Sequence, residues 1–231
     1  MTASQDRHCV FITGGTGFMG RRLIEELVRR GHTVRALARP GSEKKLPFAE
    51  SAQGKAPGCE IIIGDALEKS SFAGQVAPAD TFVQLVGVTH PNPSKAAQFR
   101  AVDFNAGRAG VEAATAAGVR HFVYVSVAQP APMMKAYIEV RAAVEELIRQ
   151  SGVNATILRP WYVLGPGRRW PLFLIPFYWL FERIPATREA ARQLGLVTQE
   201  QMIAALVGAV ENPAQGIRAV SVPEIRAASL T

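Results

Sequence analysis

Gly14, Gly15, Gly17 and Gly20 stand within the ten residues FITGGTGFMG, Phe11 to Gly20. Glycine weakens the interior of a helix or strand, so this density serves either a tight turn or a ligand that must come close to the backbone. Gly15, Gly17 and Gly20 fit G-x-G-x-x-G, while Gly14, Gly17 and Gly20 fit G-x-x-G-x-x-G, and the sequence leaves the register open. The chemistry is the same in both. With Thr16, Phe18 and Met19 between the glycines, the turn opens a helix whose unpaired N–H groups and positive dipole end receive an anion. The last glycine lets that helix pack closely on the preceding strand. A pyrophosphate matches this cradle, and context favours it over a turn without a ligand. The cluster follows the apolar run Cys9 to Thr13 and precedes an amphipathic stretch, Gly17 to Arg30.

A second charged position bears on which dinucleotide would bind. A site that prefers NAD offers an acidic side chain to the ribose hydroxyls about 20 residues beyond the glycines. Here HTVRALARPGSEKK has no Asp or Glu between Gly31 and Ser42; Arg39 takes that neighbourhood, with Arg35 and Lys44 close in sequence. A guanidinium there pairs bidentately with a 2'-phosphate, so NADP(H) is the expected preference and NAD(H) the alternative. The competing reading of Arg39 is a solvated surface arginine, and alternation along the strand can turn Arg35 away from the nucleotide. None of the four histidines shares a spacing with another that suggests a metal, and His90, in VTHPNPS, reads as a solvated loop residue. No metal is expected.

These residues need a frame, and the hydrophobic pattern supplies one. Strand-length apolar runs occur at Cys9 to Thr13, Thr33 to Ala38, Glu60 to Ile63, Thr81 to Val86, His121 to Val127 and Asn154 to Leu158. Helical periodicity fills Gly17 to Arg30, with Leu23, Ile24, Leu27 and Val28 on one stripe, then Ser94 to Ala117 and Met134 to Gln150. Strand and helix in alternation argue for an α/β fold, a doubly wound parallel sheet covered by helices on both faces. With the glycine turn, this is the Rossmann type, expected over residues 1–165, followed by a small C-terminal substrate region over 166–231. Within that region VTQEQMIAALVGAVENP reads as a helix with Thr198 as N-cap and Gln201 at the capping-box position, and GIRAVSV as a short strand.

Composition narrows the partners. The 231 residues are 48% hydrophobic and 19% charged, the range of a globular protein and too apolar for a disordered one. The net charge of +7 favours anionic partners, but the basic residues are scattered and carry no nucleic-acid recognition motif, so no nucleic acid is expected. Cys9 and Cys59 are far apart in sequence, and the start, MTASQDRH, lacks a hydrophobic leader; reduced thiols and a cytoplasmic location are the expectation. The apolar, aromatic segment Pro171 to Phe181 is too short for a spanning helix. It reads as packing of the C-terminal region, a lid over a hydrophobic substrate, or a peripheral membrane contact. The oligomeric state is not legible.

At this point the residues carry a resemblance. TGGTGFMG, VRALAR, GDALE at Gly64 to Glu68, VDFNAG at Val102 to Gly107, GVRHFVYVSV at Gly118 to Val127 and SGVNATILRPWYVLGPG at Ser151 to Gly167 together resemble the extended and atypical short-chain dehydrogenase/reductases. That superfamily includes sugar-nucleotide epimerases, NmrA-like proteins and an accessory subunit of respiratory complex I. The resemblance runs from about Val10 to Gly167. It implies that Asp65 contacts the adenine edge and Ala66 the same region through its backbone. It further implies that Gly87, Val88 and Thr89 line the ribose, and that Pro160, Trp161, Tyr162 and Val163 approach the nicotinamide.

The resemblance also implies a catalytic set, with one departure. Active members carry a Tyr followed four residues later by Lys, and a Ser at the end of the fifth strand that holds the substrate carbonyl. The lysine lowers the tyrosine's pKa so that the phenol moves a proton as hydride moves. This chain has Ser126, then Tyr137 and Arg141 in YIEVRAAVEELI. The spacing keeps Tyr137 and Arg141 on one helical face, whereas Lys135 faces away. Arg141 can bond the ribose and stabilise a phenolate, but it does not give up a proton. The expected function is hydride transfer from NADPH to a small, apolar carbonyl substrate. The rivals are an epimerase or dehydratase on a sugar-nucleotide-like substrate, and a non-catalytic dinucleotide-binding sensor or assembly protein.

Overall fold

A computed structural model describes residues 7–48, 55–56, 58–88, 91–129, 134–166 and 194–230. The segment Pro171 to Phe181, Thr89 and His90 lie outside the described residues. In chain order the strands are β1 (Cys9–Thr13), β2 (Thr33–Ala38), β3 (Lys55–Ala56), β4 (Cys59–Ile63), β5 (Thr81–Gln84), β6 (His121–Val125), β7 (Asn154–Leu158), β8 (Tyr162–Leu164), β9 (Leu196–Thr198) and β10 (Ile217–Val220). The helices are α1 (Phe18–Arg29), α2 (Ala96–Gln98), α3 (Asn105–Ala116), α4 (Lys135–Ser151), α5 (Gln199–Glu211) and α6 (Val222–Ala227).

Eight strands form one sheet in the order β10-β7-β6-β5-β1-β2-β4-β3, parallel throughout except for the two-residue β3 at one edge. β8 and β9 pair separately. This is the expected Rossmann-like α/β architecture. The strands are Val-, Ile- and Phe-rich because both faces of a parallel sheet are buried, and β6 is buried at every position. Alternation divides the core in two. Val10 and Ile12 of β1 pack with Leu23, Ile24 and Leu27 of α1 and with Met202, Leu206 and Val210 of α5. Phe11 faces the other way, in a row of rings running Phe72, Phe11, Phe82, Phe122 with centroids 5.9, 5.2 and 5.2 Å apart, under α3 and α4.

The two neighbours of β1 carry the chain in opposite directions, to β2 and β4 on one side and to β5, β6 and β7 on the other. The crevice where they diverge is where open α/β sheets hold ligands. α5 has the capping box expected of Thr198 and Gln201. It lies over α1, where Arg30 pairs with Glu211 at 3.2 Å and Gln199 donates to the Phe18 carbonyl at 2.7 Å.

Two departures concern the site. The helix expected over Ser94 to Ala117 is interrupted by a π-helical segment, Phe99–Phe104, between α2 and α3. That wider turn carries Asp103, which is buried against Arg141. β5 and β6 each end two residues before the apolar run does, because Val86 and Val127 already belong to loops at the strands' C-terminal edge.

His121 gives the sheet a pH dependence. It is buried at the start of β6, with Nε2 3.0 Å from Thr156 Oγ1 and Nδ1 without a partner. Burial, aided by nearby His8, pulls its pKa down to about 4. The unfolded chain therefore takes up this proton first as pH falls. Its contribution is intact above about pH 6.5 and is lost as pH falls from 6.5 towards 4, by up to ~3 kcal/mol. Urea unfolding at pH 7.5 and pH 4.5 checks this: His121→Gln should remove that part of the difference, and an unchanged difference would assign it to other groups.

Candidate functional site

Because the strands are parallel, the loops that follow them share one edge of the sheet. The glycine turn follows β1, Arg39 follows β2, Asp65 and Ala66 follow β4, Gly87 and Val88 follow β5, Ser126 follows β6, and Pro160 to Trp161 follow β7 and lead into β8. A cavity of about 270 Å³ opens there. Its lining includes Gly14, Gly17, Phe18, Met19 and Gly20, then Gly87 and Val88, then Ser126, Tyr137 and Arg141, and finally Pro160, Trp161, Tyr162 and Val163. Gly15, Thr16, Arg39, Asp65 and Ala66 sit along the same edge without lining it.

The turn has the form an anion needs. Gly14 takes φ +75°, and Gly17 N–H donates to the Gly14 carbonyl at 3.0 Å. A Cβ on Gly14 would lie 2.9 Å from the Leu85 carbonyl carbon, and one on Gly20 would overlap the Gly14 carbonyl and come within 2.6 Å of Gly15 Cα. Gly17 caps α1 without a side chain, and the first turn holds no acidic residue, so the helix's free N–H groups and positive end are unopposed. A pyrophosphate fits this cradle.

Arg141 is the electrostatic centre of the cavity. It is 5% exposed. Nη2 donates to Asp103 Oδ1 at 2.6 Å, and Nη1 donates to the Val125 carbonyl at 2.8 Å and to the Tyr124 hydroxyl at 3.3 Å, leaving Nε buried without a partner. Asp103 Oδ2 accepts from Val88 N–H at 3.1 Å. Burial pushes the Asp103 carboxyl and the Tyr124 phenol up, the latter to about 12, while Arg141 remains a cation among Tyr124, Tyr137 and Asp103. The guanidinium carbon stands 5.1 Å from the centroid of the Tyr137 ring. Tyr137 also packs on Phe99, with centroids 5.0 Å apart.

Ser126 is buried and donates to Glu145 Oε1 at 2.6 Å. Tyr137, Arg141 and Glu145 are spaced by four residues along α4, so one face of this helix carries all three toward the sheet edge. Beyond β2, Arg39 is exposed, and its side chain makes no hydrogen bond or ion pair with another described residue. Arg35 turns away as alternation allows, pairing with Glu60 at 2.6 Å. Asp65 accepts from Leu67 N–H at 3.0 Å and shapes its own turn. Sequence reasoning missed Asp103 and Glu145. Asp103 is within VDFNAG, and the four-residue step from Arg141 to Glu145 was the available signal for the other. Among the described residues no cluster of His, Cys, Asp and Glu could hold a metal ion, and no helix is long and apolar enough to cross a membrane.

The model of a family described as NAD(P)H-binding matches residues 14–168. The chain belongs to this NAD(P)H-binding family. Ceramide reductase of Caulobacter vibrioides is 28% identical over 215 residues, covering 93% of this chain and 65% of that protein. The photosystem II assembly factor Ycf39 of Trieres chinensis is 28% identical over 151 residues, covering 65% of this chain and 44% of that protein. The chain thus spans less than two thirds of either relative. Among solved structures, the Bordetella bronchiseptica enzyme WbmH in complex with NAD+ superposes with a TM-score of 0.68 at 21% identity, over 94% of this chain and 76% of that one. That likeness establishes the fold.

The buried pair at the centre of this cavity can be tested by stability. Arg141→Met strands Asp103 without its partner and should cost ~3 to 5 kcal/mol in urea unfolding. Adding Asp103→Leu should recover part of that loss; additive losses would show that the two residues act independently.

Proposed function

We propose that the chain is an NADPH-dependent reductase that transfers hydride to an apolar carbonyl compound, with Tyr137 as the proton donor. The observation that carries this reading is the position of Tyr137. It lines the same cavity as the glycine cradle, its hydroxyl makes no hydrogen bond with another described residue, and the Arg141 cation lies against its ring. The cradle and the N-terminal turn of α1 would hold the pyrophosphate, and Arg141, which lines the cavity and has used three of its five N–H groups, would donate to a ribose hydroxyl. A reduced nicotinamide bound here would supply the hydride. Tyr137 gives its proton to the developing alkoxide, and Arg141 favours the negative charge that then builds on the phenol oxygen. Arg141 holds its own proton, so the phenol is recharged from solvent. Phe18, Met19, Pro91, Trp161 and Val163 make the rest of the lining apolar, which suits a substrate with little charge. The relative named ceramide reductase supports a reductase, and the exposed Arg39, unpaired among the described residues, supports the phosphate-bearing cofactor.

One observation favours a second reading, a dinucleotide-binding assembly protein without turnover. Arg141 replaces the lysine of active members and is largely spent on Asp103 and the Val125 carbonyl, and one relative is named an assembly factor.

Calorimetric titration with NADPH, NADP+, NADH and NAD+ comes first. Arg39→Ala should weaken NADPH by ~1.5 to 3 kcal/mol and leave NADH nearly unchanged. Equal losses would reduce Arg39 to general electrostatics. NADPH consumption is then followed with apolar aldehydes, ketones and quinones. Tyr137→Phe should lower turnover at least ~100-fold while cofactor affinity holds; a fully active variant would remove Tyr137 from the chemistry, and no turnover with any carbonyl would favour the assembly reading.

A further inference from the structure

Glu145 is a buried carboxylate that the mechanism above does not use. It is 1% exposed, yet five bonds are donated to it. Oε1 accepts from Ser126 Oγ at 2.6 Å, Gln129 Nε2 at 2.9 Å and Arg159 Nε at 3.1 Å. Oε2 accepts from Arg159 Nη2 at 2.5 Å and Arg149 Nη2 at 3.1 Å. Two carboxylate oxygens offer about four lone-pair sites, so this one is saturated by donors, and two guanidiniums balance its charge.

The consequence falls on Ser126. A serine hydroxyl has one proton and two acceptor sites. The proton is committed to a charged acceptor, the strongest kind of hydrogen bond a hydroxyl makes, in a buried setting where losing it is costly. What Ser126 offers the cavity it lines is lone pairs. A substrate carbonyl opposite that oxygen would meet an acceptor with an acceptor.

We propose that Glu145 is a positioning residue that fixes Ser126 as a hydrogen-bond acceptor, so that the cavity takes an O–H or N–H donor at this point. This rests on the reading of the cavity as the dinucleotide site. It divides the polar work there: Tyr137 serves the carbonyl oxygen, and Ser126 reads a donor beside it. Two bound groups supply such a donor, the carboxamide of the nicotinamide and a hydroxyl on the substrate.

The experiment separates them. NADP+ and its 3-acetylpyridine analogue, in which a methyl replaces the carboxamide NH2, are titrated into wild type, Ser126→Ala and Glu145→Gln. Cofactor-saturated protein is then titrated with 1-tetralol and its matched ketone 1-tetralone. If the carboxamide is the donor, wild type binds NADP+ about 10-fold more tightly than the analogue and Ser126→Ala abolishes the preference. If the donor is a substrate hydroxyl, the alcohol is preferred over the ketone by a similar factor, again only while Ser126 is present. In either case Glu145→Gln, whose amide can donate to Ser126 and release its proton, shrinks or reverses the preference. Ser126→Ala carries the test should that variant fail to fold. Binding of both dinucleotides with no Ser126-dependent preference for a donor in either pair overturns the proposal. Binding of neither dinucleotide overturns the reading of the site itself, and the proposal with it.

Discussion

The contact between Arg141 and Asp103 joins separate parts of the cavity wall. Through it α4 is tied to the π-helical segment that precedes α3. Through Asp103 the bond reaches Val88 N–H in the loop after β5, and through the other arm of the guanidinium it reaches the last carbonyl of β6. One loop, one strand end and two helical segments are thereby set at fixed distances. A buried ion pair adds little net stability, since desolvation offsets attraction, but breaking it is costly. That asymmetry suits a part whose task is to allow one arrangement of the cavity wall.

The arrangement explains how an arginine can stand where active members of the resembling superfamily have lysine. A lysine offers a compact charge that can shuttle a proton, whereas arginine offers a planar fork that holds several acceptors at once and keeps its charge. Here the fork is used as a fork, with separate acceptors on Nη1 and Nη2 and one nitrogen left over. The exchange gives up proton relay through this side chain. It gains a rigid positive group beside an aromatic ring.

Much of this was legible in the sequence because it depends on short-range pattern. The glycine turn, the amphipathic stripe of α1, the continuous apolar run of β6 and the Thr198 capping box each involve residues a few positions apart, and each stands where the pattern indicates. The polar interior was less legible, since it depends on pairs made by the fold. Asp103 and Arg141 lie 38 residues apart and meet only when a π-helical turn presents the aspartate. Ser126 was recognisable as the residue at the end of a strand, but the direction of its hydroxyl is decided by Glu145, 19 residues further on. α6 was missed, although Ser221 followed by Pro223 and Glu224 was a local signal for its start.

The packing of α5 on α1 bears on how the chain comes to its fold during synthesis. Leu23, Ile24 and Leu27 directly follow the glycine turn that they anchor. Their cover, Met202, Leu206 and Val210, follows some 180 positions later. Arg30 likewise waits for Glu211, and the Phe18 carbonyl for Gln199. Contacts of such sequence separation form slowly, because a long loop must close before they repay its entropy. The apolar contacts that α5 makes with α1 are therefore missing until the last part of this sequence is made. Until α5 joins it, α1 and the glycine turn that precedes it lack part of the packing that holds them in the folded protein.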